Sequence, residues 1–73
     1  MATIYEKIGE NIRKYRKKAK LSQLELAERA KLDLTSVSEI ESGLRNPSTK
    51  TLHKIAIPSH TDYRLFYIQL HGV

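Results

Sequence analysis

Ile4, Ile8, Ile12, Tyr15 and Ala19 recur at the three- and four-residue spacing of one helix face, with no proline among them. Thr3 and Glu6 occupy the two positions of a capping box, so the pattern predicts a first helix running to about Ala19. Gly9 weakens it slightly. Ser22-Gln23-Leu24-Glu25 repeats the capping-box pattern, and Leu24 with Ala27 and Leu26 with Ala30 give a short second helix its apolar stripe. Lys31-Leu32-Asp33 leaves room only for a tight turn. Asp33 then caps a third helix in which Val37 and Ile40 face inward and Leu34, Thr35, Ser36, Ser38 and Glu39 stay exposed.

Ser42-Gly43 is a stop signal, because glycine adopts the left-handed conformation at a helix end without penalty. Leu44-Arg45-Asn46-Pro47 reads as a loop, and Ser48 as the cap of a fourth helix carrying Leu52, Ile55 and Ala56. Pro58 ends that helix near Ala56 or Ile57. The remaining segment concentrates Tyr63, Leu65, Phe66, Tyr67, Ile68 and Leu70, which suit a short helix or a strand equally well. A helix is preferred because the rest of the chain is helical. The expected fold is all-α: a compact bundle of four or five helices. Residues 1–57 form the main domain, and 58–73 an aromatic segment that is either a fifth helix or a dimerisation element.

Composition narrows the picture. A chain of 73 residues lies near the lower end of what one core stabilises alone, and without cysteine it has no disulfide or thiolate-zinc staple. Apolar packing, aided by self-association, has to suffice. No apolar run is long enough to span a bilayer and no signal-peptide pattern opens the chain, so a cytoplasmic location is expected. The formal charge of +5 suggests a polyanionic partner, and Arg13, Lys14, Arg16, Lys17, Lys18 and Lys20 form one basic block.

Two short helices joined by a three-residue turn, between Gln23 and Ile40, make a helix-turn-helix, with Ala27 as the small residue where the helices cross. At these residues the chain resembles the Xre/Cro-like helix-turn-helix domains of phage repressors and bacterial regulators. The resemblance rests on Ile8-Gly9 with Ile12-Arg13, Leu21-Ser22-Gln23 with Leu26-Ala27, and Val37-Ser38-Glu39-Ile40-Glu41-Ser42-Gly43. It continues through Arg45-Asn46-Pro47-Ser48 and Leu52 with Ile55-Ala56, covering roughly residues 8 to 56.

The resemblance implies a lambda-repressor-like fold and a sequence-specific regulator of transcription, expected to be a repressor. It inserts the helix 34–41 into the major groove of double-stranded DNA as a homodimer on a pseudo-palindromic site. It implies that Gln23 binds the sugar-phosphate backbone and that Arg45 and Asn46 touch it beyond the third helix. Arg16 and Glu41 match a structural ion pair, with phosphate contact by Arg16 as a secondary role. Two departures stand out. Lys31 occupies a turn position where the family often has glycine, and Pro58 cuts in early before an aromatic segment that does not match the pattern.

The third helix is expected to read bases through Leu34, Thr35, Ser36, Ser38 and Glu39. Leu34 and the Thr35 methyl suit thymine methyl groups, the hydroxyls suit almost any base edge, and Glu39 suits cytosine N4 or else pairs with a nearby lysine. None is Arg, Lys, Asn or Gln, the most discriminating base readers, so DNA deformability is expected to assist specificity.

His53, His60 and His71 share no metal-ligand spacing, Gly9, Gly43 and Gly72 are isolated, and no serine sits in a nucleophile-elbow pattern. No metal, cofactor or catalysis is expected. The competing reading is an antitoxin or adaptor whose main partner is another protein, favoured by the patch from Tyr63 to Leu70.

Overall fold

The computed structural model describes the backbone of residues 3–71 and the side chains of residues 3–67. The readings placed on the side chains of Ile68, Leu70 and His71, and on Gly72, lie outside the described residues. Helix α1 spans Ile4–Lys18, α2 Gln23–Ala30, α3 Leu34–Ser42 and α4 Thr49–Ala56, followed by a 3-10 helix over Tyr63–His71. No strand occurs among the described residues.

The helix starts are set by local chemistry. Thr3 Oγ1 accepts from the Glu6 amide at 3.1 Å while Glu6 Oε1 accepts from the Thr3 amide at 2.9 Å. Ser22 and Glu25 do the same at 3.0 and 2.9 Å. Each arrangement satisfies two amides that a helix start leaves without partners. Asp33 has the extended backbone of an N-cap, but its carboxylate accepts from the Ser36 hydroxyl and not from a backbone amide of the first turn. Lys31 takes the left-handed conformation, φ 59°, at the end of α2, a strain of roughly 1 kcal/mol for a non-glycine residue.

The core gathers Ile8 and Ile12 from α1, Leu21, Leu26 and Ala27 around α2, Val37 and Ile40 from α3, and Leu52, Ile55 and Ala56 from α4. Leu24 departs from the expected stripe and is 53% exposed. The buried face of α2 is set by Leu26, Ala27 and Ala30, and Leu24 lies outside that arc. Gly9 is buried where α1 crosses the C-terminal end of α3. A Cβ there would overlap the carbonyl oxygens of Ile40 and Glu41, so the helix axes approach this closely only over glycine.

The aromatic segment completes the same core. Phe66 is fully buried, its ring centroid is 6.0 Å from that of Tyr15, and Asn11 Nδ2 donates to its carbonyl at 2.7 Å. Tyr63 and Tyr67 pack against the cluster, and the His53 ring lies 4.1 Å from that of Tyr63. The 3-10 helix thus packs against both α1 and α4.

Candidate nucleic-acid interface

Helix α3 is short and buries only one side. Ser36, Val37, Ile40 and Glu41 point inward, which leaves an exposed arc of Leu34, Thr35, Ser38 and Ser42, with half-buried Glu39 at its margin. The angle of α3 against α2 is fixed by the turn, where the Leu32 amide donates to the Ala27 carbonyl at 2.8 Å. Gly43, at φ 82°, ends α3 and admits Glu6 of α1 where a Cβ would collide.

One margin of the arc is an open cleft of about 400 Å³ lined by Arg13, Arg16, Gln23, Ser38, Glu41 and Ser42. Beneath it lies a buried ion pair. Arg16 Nε donates to Glu41 Oε2 at 2.5 Å and Nη2 to Oε1 at 3.1 Å, while Nη1 donates to the Leu21 carbonyl at 2.8 Å. Arg16 is only 7% exposed, and its three guanidinium nitrogens are engaged by Glu41 and the Leu21 carbonyl. Gln23 Nε2 donates to Glu41 Oε1 at 3.1 Å, so the start of α2 is tied to the end of α3 through one carboxylate.

The opposite margin is built by the loop after α3. Arg45 returns across the helix: Nη1 donates to Ser36 Oγ at 2.7 Å and Nη2 lies 2.8 Å from Glu39 Oε1. The Ser36 hydroxyl in turn donates to Asp33 Oδ1 at 2.6 Å, and that hydrogen bond leads the causes that hold the Asp33 carboxyl below its ordinary value. Ser36 is 6% exposed, contrary to its expected place on the reading face. It is covered because position 36 lies on the inner side of α3, over which Arg45 folds. Glu39 is engaged by Arg45, not by a lysine, and Asn46 is exposed beside it.

The basic block does not form one face. Arg13 lines the α2–α3 cleft, whereas the Lys14 and Lys18 ammonium groups each lie 5.9 Å from the Tyr15 ring centroid, toward the aromatic segment. Arg13 and Ser42 line the cleft although neither is among the expected site residues. The signal for Arg13 was its place beside Ile12 on a helix whose register was already fixed. Among the described residues, no group of three or more His, Cys, Asp or Glu side chains is arranged to hold a metal ion, and no helix is long and apolar enough to cross a membrane.

A family model described as helix-turn-helix, HTH_3, matches residues 12–57. The chain is 41% identical over 49 residues to an immunity repressor protein of Bacillus phage phi105, covering 67% of this chain and 34% of that protein. It is 42% identical over 57 residues to the ImmF control region 10 kDa protein of the same phage, covering 78% of this chain and 63% of that one. The chain therefore spans a third to somewhat under two thirds of the length of these relatives. Among solved structures, the restriction-modification controller protein C.AhdI from Aeromonas hydrophila superposes with a TM-score of 0.82 at 32% identity, covering 85% of this chain and 94% of that one. The clp gene regulator ClgR from C. glutamicum shares the fold, with a TM-score of 0.89 at 22% identity over 97% of this chain and 91% of that chain.

Proposed function

The chain belongs to the Xre-like helix-turn-helix family, and from that premise we propose that it acts as a DNA-binding regulator of transcription and represses the genes it controls. The observation that carries this reading is the exposed arc of α3, bordered by Arg13 and Gln23 on one side and Arg45 and Asn46 on the other. A protruding helix fits the major groove of B-DNA, and groups on both of its margins then meet the phosphates of the two strands.

In this reading Leu34, Thr35 and Ser38 face base edges, while Gln23, Arg13, Arg45 and Asn46 hold the backbone. The first amides of α2 add phosphate donors where the helix dipole favours negative charge. Affinity comes mainly from phosphate contacts and specificity from the thinly furnished arc together with the deformability of the site. Two copies bind a pseudo-palindromic site with recognition helices about 34 Å apart, one turn of DNA. The cytoplasm is the compartment in which such a regulator works. The aromatic segment, the feature that favoured a protein partner, directs Phe66, Tyr63 and Tyr67 to the core.

Titration of the full chain on mixed-sequence duplex DNA over a salt series tests the reading. Log K is expected to fall linearly with log salt at about −0.9 per phosphate contact. No binding at low salt, or binding indifferent to salt, overturns it.

A further inference from the structure

Ser36 is buried, and it occupies the centre of a continuous polar chain along one side of α3. That chain runs from Asp33 through the Ser36 hydroxyl to the Arg45 guanidinium and on to Glu39, with links of 2.6, 2.7 and 2.8 Å. The polarity is consistent throughout. The single hydroxyl proton of Ser36 goes to the Asp33 carboxylate, which turns the Ser36 lone pairs toward Arg45. Arg45 donates one Nη1 hydrogen to Ser36 and sets Nη2 against the Glu39 carboxylate as an ion pair, which leaves Nε–H and further Nη hydrogens for another acceptor.

We propose that Ser36 is a positioning residue for DNA binding, holding the Arg45 guanidinium at the margin of α3 before DNA arrives. The proposal rests on the DNA-binding reading above and assigns Ser36 a part in it through Arg45 alone. An arginine on a loop samples many rotamers and loses that freedom on contact, whereas one already fixed in a fork geometry loses less. Asp33 sets the direction of the hydroxyl, and Glu39 fixes the second arm of the fork.

The test measures the affinity of wild-type, Ser36→Ala, Arg45→Ala and the double variant for one mixed-sequence duplex across a salt series, with circular dichroism confirming that each is folded. Ser36→Ala is expected to weaken binding about threefold or more, the scale of one lost hydrogen bond. It is also expected to remove part of the salt slope of about 0.9 that Arg45→Ala removes. In the Arg45→Ala background, Ser36→Ala is expected to change neither affinity nor slope. Wild-type affinity and slope in Ser36→Ala, or an equal loss in both backgrounds, overturns the proposal while leaving the DNA reading intact. Absence of DNA binding by the wild-type chain overturns both together.

Discussion

The guanidinium of Arg16 on α1 and the carboxylate of Glu41 on α3 meet inside the protein, 25 residues apart in the chain and 2.5 Å apart in space. Removing one partner leaves a buried charge without compensation, which costs about 3–5 kcal/mol. In a domain of this size that is a large part of the total stability. Glu41→Ala is expected to be largely unfolded in urea titrations under conditions where the wild-type chain is folded. Replacing both residues with apolar ones of similar volume is expected to cost less than the sum of the single changes.

Gly9→Ala sets helix propensity against packing. Alanine gains up to about 1 kcal/mol in a helix interior. Its Cβ, however, meets backbone carbonyls of Ile40 and Glu41, which have no flexible end to move aside. Such overpacking costs about 1–3 kcal/mol. A net loss of stability is expected, with a lower melting temperature than wild type.

The two capping boxes predict an acid dependence. The carboxyls of Glu6 and Glu25 are held below their ordinary value of 4.5, chiefly by the backbone amides of Thr3 and Ser22 that they accept from. A depressed folded-state value means the stabilisation is present above pH 4.5 and is lost as pH falls through the lower folded value. Asp62, held down to about 2 by Arg64, acts in the same sense, its contribution lost as pH falls from 3.8 through about 2. Melting temperatures of wild type and a Glu6→Gln, Glu25→Gln double variant are expected to differ at neutral pH and converge in acid.

Local signals were legible in the chain where cause and effect lie within one helical turn. The capping boxes and the inward pair Val37 and Ile40 are of this kind. The Arg16–Glu41 pair was legible only through family resemblance, since nothing local links residues on different helices. Ser36 departs from its expected exposure: it is buried on the inner side of α3 and accepts from Arg45, nine positions on, a contact that helical periodicity does not reveal. The aromatic segment showed its payload but not its backbone. Phe66 is buried by α1, and a core pattern of that length does not separate a 3-10 helix from a strand.

Division of labour across the proposed interface separates two further variants. Arg45→Ala is expected to weaken binding to all sequences alike and to reduce the salt slope by about one. Thr35→Ala is expected to alter preference among sites by about 1 kcal/mol or more while the slope is unchanged. Selection from a randomised duplex pool, combined with salt titrations, reads both effects.

In the proposed complex the exposed arc of α3, between Gln23 and Arg45, is the surface that meets DNA. Backbone amide shifts of the isotope-labelled chain, recorded as duplex DNA is added, test it most directly. The largest changes are expected on Thr35, Ser38 and Ser42 and on the flanking Gln23, Arg45 and Asn46. Lys14, Lys18 and Tyr63 should change little. Changes concentrated at Lys14, Lys18 and the aromatic segment, with α3 silent, would contradict it.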